Sequence, residues 1–219
     1  MGEPAMISNS LEDVSWWQQT QPTAEELYLS GGLLVEDWPH ARQVARLSAQ
    51  LFEATRVLHK MGEREMLLLD RAALLHNTGM MVEMRRHHKH SFRLIKDTPL
   101  PDFSEQERYE IACIARYHRR ALPSRQHEEY AALGRAARKR VSVLAALLRI
   151  ADALDYNHDG RVLSLNVDEA HCNRTIWAVQ LHIRALADLD EELENAYEKA
   201  DLFEKVFSRK IRFTVEKQM

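Results

Sequence analysis

Cysteine is scarce: Cys113 and Cys172 are the only two among 219 residues, and no CxxC pair occurs. A disulfide framework and a zinc knuckle are thereby excluded. The N-terminal residues show no basic-then-apolar signal pattern, and no apolar run approaches the ~20 residues that span a bilayer. The expectation is a soluble, cytoplasmic protein with no membrane partner. Internal repeats and low-complexity tracts are lacking too. A net charge of −3 shows no excess of either sign and argues against a general nucleic-acid binder. With 45% hydrophobic and 29% charged residues, the chain suits one folded unit, or two small ones, with a sizeable core.

The charge that is present is unevenly spread. Residues 85–93 (RRHHKHSFR), 116–125 (RYHRRALPSR) and 135–140 (RAARKR) are basic, whereas 188–194 (DLDEELE) is acidic. Local basic patches concentrate anionic ligands even on a mildly acidic protein, although any single run reads equally as a solvated helix face.

Residues 1–22 are polar, carry Trp16 and Trp17, and read as an arm that docks through those rings. Thr23 and Glu26 form a capping-box start for a short helix. Asp37 caps a longer one with Pro39 in its first turn, and Val44, Leu47, Leu51 and Leu58 mark its inner face. Further helices are predicted over Arg64–Asn77 with Gly79 as stop, from His88 to before Pro99, from the capping box Ser104/Glu107 to His118, and across Glu128–Asp155. Beyond Gly160 the period changes to two. Leu163, Leu165 and Val167 share one side of a predicted strand, and Trp177, Val179, Leu181 and Ile183 face in on a second. A helix with Ala196, Ala200, Phe203 and Phe207 inside leads to a third strand through Ile211, Phe213 and Val215. The expected architecture is mainly α: an arm (1–22), a helical bundle (23–158) and a small β-β-α-β subdomain (159–219).

Several polar residues fall on apolar helix faces. His40 lies four before Val44, His76 follows Leu69 and Ala73, His90 precedes Leu94 by four, His118 shares a face with Ile111 and Ile114, and Asp152 follows Val141, Ala145 and Leu148. Singly, each histidine reads as a core residue bonded to a carbonyl, and Asp152 as a partner for Arg149. Together they are costly to bury unless gathered around one ion or anion. Imidazole and carboxylate suit a divalent metal such as Mn, Fe, Co or Zn.

These residues carry a resemblance. His40 at a helix start, the doublet His76–Asn77 and the aspartate of RIADALD (149–155) resemble the HD-domain metal-dependent phosphohydrolase superfamily. HARQVARLSAQLF, ALLHNTGM, HHKHSFRLI, LPDFSEQE, RYHRR and RIADALD, with the tail EKADLFEKVFSRKIRF, look like the C-terminal HD region of the exopolyphosphatase / guanosine pentaphosphate phosphohydrolase (Ppx/GppA) family, over residues 24–216. The resemblance implies an HD helical bundle and metal ligation by His40, His76 and Asp152. It implies catalytic roles at positions 77 and 152, and His88, His90 and His118 as candidates for a second metal, with His87 able to replace a neighbour. Lys89, Arg93, Arg116, Arg119 and Arg120 would bind phosphate.

Two departures stand out. Asn77 occupies the doublet position where the superfamily has aspartate, so reduced metal affinity is expected; asparagine also suits a helix C-cap before Gly79. The family's actin-like catalytic domains have no counterpart in this chain. Three functions follow: a metal-dependent phosphohydrolase (Mn, Fe, Co, Zn or Mg) acting on a nucleotide or polyphosphate; a non-catalytic module binding polyphosphate or an alarmone nucleotide beside a separate exopolyphosphatase protein; and a dimerisation domain forming a homodimer.

Overall fold

The computed structural model describes residues 20–184 and 187–218, so the arm residues 1–19 with Trp16 and Trp17 lie outside the described residues. Helix α1 (Ala24–Leu29) opens with the Thr23/Glu26 capping box. Helix α2 (Trp38–His59) is capped by Asp37, whose Oδ1 accepts from the His40 amide at 3.0 Å. Val44, Leu47 and Leu51 are fully buried, while Leu58 is half-buried at the far end. Helix α3 (Glu63–Leu75) is followed by a 3-10 turn (Thr78–Met81), α4 (His87–Asp97), α5 (Glu105–Arg116), a single turn α6 (Glu128–Ala131) and α7 (Arg135–Ala153). The long segment expected from Glu128 to Asp155 is thus broken at Gly134, whose backbone caps α7.

Helix α7 is the hub. It packs against α2, α3, α5, α8 and α9, which explains why its sequence from Val141 to Ala153 is apolar almost all round. The buried Arg149 does not take the pairing with Asp152 that was the alternative for a lone aspartate, but reaches Asp201 Oδ1 at 2.8 Å and the carbonyls of Lys199 and Tyr117. Those bonds tie the core helix to the C-terminal part.

There, β1 (Val162–Val167) pairs antiparallel with β2 (Ile176–Arg184), and β3 (Lys210–Gln218) joins β2 in parallel. A parallel partner needs a crossover, supplied by two helices rather than one, α8 (Asp190–Glu198) and α9 (Asp201–Phe207). Two expected faces change. The register shifts between Val162 and Ser164, so Val162 is buried and Leu163 only half-buried. Val215, within β3, is exposed. The free edge of β1 is covered by α2: Gln43 and Arg46 donate to the Val162 carbonyl at 2.7 and 2.8 Å, and Gln50 accepts from the Leu165 amide at 3.0 Å. No helix among the described residues is long and apolar enough to cross a membrane.

Candidate metal centre

One end of the bundle gathers the first turn of α2, the last residues of α3, the start of α4, the end of α5 and the end of α7. His40 and His76, at 2% and 0% exposure, project there with Asp152. The Nε2 atoms of both rings lie 3.4 and 3.3 Å from the same Asp152 Oδ1. His76 Nδ1–H donates to the Ala73 carbonyl at 2.6 Å, which turns its Nε2 toward the carboxylate. His40 Nδ1–H donates to Asp155 Oδ2 at 2.8 Å. Neither Nε2 has a hydrogen-bond partner, and both are buried. Three ligand atoms within 4.8 Å of one another, two of them unsatisfied, form a set that could hold a metal ion.

The electrostatics are set by burial and by pairing. Burial opposes charge on His40, but the carboxylates of Asp152, beside its Nε2, and Asp155, hydrogen-bonded to its Nδ1, outweigh it and raise its pKa to about 9. Burial would raise Asp152, yet the Lys199 ammonium and the two imidazoles hold it well below the usual carboxylate range. Lys199 Nζ stands 2.5 Å from Asp152 Oδ2, so one carboxylate oxygen already has a cation and the other faces the histidines. In the metal-free protein His40 is therefore protonated at neutral pH; a metal and that proton compete for Nε2.

Asn77 lies in the adjoining cleft of about 310 Å³, together with Met80, Met84, His87, His118 and Arg119. Its Oδ1 is buried without a hydrogen-bond partner. The capping role fails, since α3 ends at Leu75, Asn77 has φ −103° and its side chain makes no cap bond. Gly79 is needed for close approach instead. A Cβ there would stand 2.2 Å from the His87 carbonyl oxygen and 2.4 Å from the Ser91 amide. Ser91 Oγ, which accepts from the Gly79 amide and donates to the His76 carbonyl, locks α4 against the turn.

That contact decides which histidine of the HHKH run enters the site. His87 does: its Nε2 meets His118 Nε2 at 3.0 Å, and each ring donates its Nδ1–H to a carbonyl, of Met84 and Ala115 respectively. Two neutral rings so tautomerised would set lone pair against lone pair, an arrangement relieved by a proton or cation. Burial lowers the pKa of both. His118 also stands edge-on to His76, centroids 5.0 Å apart. His88 and His90, expected as ligands, are not brought to the cleft. His90 pairs with Glu83 at 3.2 Å, and His88 lines a different pocket, where burial and neighbouring cations press its pKa down to about 4.

Of the expected phosphate-binding cations, only Arg119 lines the cleft. Arg116 pairs with Glu129, Lys89 lines the other pocket, and Arg93 and Arg120 are exposed. Sequence reasoning missed Asp155, His158 and Lys199. Asp155 is buried, orients His40 and accepts from the Gly160 amide at 2.9 Å. His158 stacks on His40 at 3.7 Å and bonds Asp37. An aspartate three residues after Asp152 was the available signal for Asp155; none marked Lys199.

Fold and site together define a mainly helical protein with a buried His/Asp cluster at one end of its bundle. Residues 34–199 match the family described as Ppx/GppA phosphatase, domain III, and the chain belongs to that family. Its relatives include three proteins named guanosine-5'-triphosphate,3'-diphosphate pyrophosphatase. That of Pseudoalteromonas translucida (strain TAC 125) is 40% identical over 55 residues, 25% of this chain and 11% of the relative. That of Vibrio vulnificus (strain YJ016) is 26% identical over 168 residues, 70% and 33%. That of Vibrio parahaemolyticus serotype O3:K6 (strain RIMD 2210633) is 28% identical over 124 residues, 56% and 24%. The chain thus spans at most about a third of these relatives.

Proposed function

We propose that the chain carries an HD-type phosphohydrolase centre, in which His40, His76 and Asp152 hold one divalent transition metal and the cleft beside them takes a phosphate-bearing small molecule, a nucleotide or polyphosphate. The supporting observation is the set of three ligand atoms, on buried His40 and His76 and on Asp152, that lie within 4.8 Å of one another. Mn, Fe, Co and Zn suit this nitrogen-rich donor set better than Mg. When bound, such an ion polarises a phosphoryl oxygen and acidifies water. The chain's own groups do the rest. Arg119 and Lys199 line the cleft and offset phosphate charge. The facing imidazoles of His87 and His118, neutral at neutral pH, can take one proton between them. Asp155 keeps the His40 ring in position.

Two features weaken the centre. Asn77 offers a neutral oxygen where a carboxylate would add charge, and Lys199 already compensates Asp152. They favour a second reading, a non-catalytic module that binds the same phosphate ligands beside a separate exopolyphosphatase protein. Metal analysis after reconstitution with each of the four ions is the test. About one equivalent of metal, lost in Asp152→Ala, supports the centre, while no uptake of any ion rejects it. Phosphate release from tripolyphosphate or a nucleoside triphosphate then separates catalysis from binding.

A further inference from the structure

His87 and His88 are successive residues on α4 and therefore point about 100° apart. Their rings stand edge-to-face with centroids 6.0 Å apart. His87 faces the cleft described above, whereas His88 lines a second pocket of about 170 Å³ with Lys89, Arg116, Tyr117, Ala121 and His127. We propose that this second pocket binds a phosphate group, either free orthophosphate or the terminal phosphoryl of a phosphate chain, independently of the metal centre.

Apart from Ala121, the lining side chains are cationic or able to donate hydrogen bonds, and no carboxylate belongs to it. The acid that pairs with Arg116 is Glu129, which offsets part of that guanidinium's charge and fixes its position. Lys89 is exposed and no ion pair is formed by it among the described residues. One ring nitrogen is left unsatisfied, and in the tautomer that puts its proton there an oxyanion would correct this. His88 Nδ1 is buried without a hydrogen-bond partner. His127 Nδ1 lies 3.0 Å from the Tyr117 hydroxyl, and with the hydroxyl donating, the neutral ring keeps its proton on Nε2 as a further donor. The adjoining first turn of α4 carries no acidic residue, so its own positive end adds to the field rather than being neutralised by it. Size sets the class of occupant. At about 170 Å³ the pocket has room for one tetrahedral oxyanion.

The test uses the whole chain treated with chelator, so that no metal contributes. Orthophosphate is titrated by calorimetry, with the imidazole resonances of His88 and His127 followed at constant pH. Saturable binding is expected, with both resonances shifting. Lys89→Ala should bind about fivefold more weakly, the loss of one charge at ~4 Å in a water-accessible pocket, and His127→Leu should weaken it as well. In Asp152→Asn the His88 and His127 resonances should shift with orthophosphate as they do in the parent, which separates this pocket from the metal centre whether or not that centre takes up metal. Tripolyphosphate competing more strongly than orthophosphate, and weakened equally by Lys89→Ala, assigns a chain terminus as the source; preference for orthophosphate assigns the free ion. Absence of saturable binding, insensitivity to both pocket variants, or loss in Asp152→Asn would overturn the proposal.

Discussion

Metal-free protein should lose stability as pH rises, because His40 gains its proton's partners only on folding. Its pKa is about 9 in the folded chain, against an ordinary value of 6.5. A group raised in this way stabilises the native state fully below its unfolded pKa and ceases to do so above its folded one. Across that interval the difference amounts to about 3 kcal/mol at 1.36 kcal/mol per unit. The ring is 2% exposed, so solvent screening removes little of it. The energy belongs to the His40–Asp152–Asp155 cluster and is counted once. The assay is urea unfolding with chelator, at several pH values from below 6.5 to above 9, for the parent and His40→Gln. The parent curve should fall by about this amount relative to the variant, in that window. Metal must displace the same proton, so metal affinity should rise about tenfold per pH unit until the folded pKa is reached. Parallel stability curves for the two proteins would refute the reasoning, as would an imidazole titration placing His40 near 6.5.

Lys199→Met should tighten metal binding by tenfold or more, as it removes the cation held 2.5 Å from Asp152, and should lower the stability of the metal-free form; equilibrium dialysis and thermal unfolding read the two effects. Asn77→Asp should also raise metal affinity, since the new carboxylate would sit where a buried, unpaired oxygen now lies; unchanged metal uptake would show that Asn77 does not limit the centre. Gly79→Ala should cost about 2–3 kcal/mol through overpacking, because its Cβ meets backbone atoms of α4 rather than a yielding side chain; thermal unfolding checks this.

What could be read from the sequence was whatever depends on helical period. His40, His76 and Asp152 each stand three, four or seven positions from apolar residues, His40 before them and the other two after, and that spacing places them on the inner faces of α2, α3 and α7. Period cannot choose between His87 and His88, which differ by one position. Their sorting depends on how α4 is rotated about its axis, and the approach of α4 to Gly79, a tertiary contact, fixes that rotation. Asp155 escaped because it lies just past the last turn of α7, where Leu154 is the cap and helical spacing no longer applies. Lys199 is more remote still. It reaches Asp152 while Arg149, the partner that aspartate would have if taken singly, turns instead to Asp201 and the Lys199 carbonyl. One core arginine thus draws the end of α8 toward the cluster and places a second cation at the carboxylate. The C-terminal part therefore acts on the centre through charge as well as packing, since it carries the ammonium that any incoming metal must oppose.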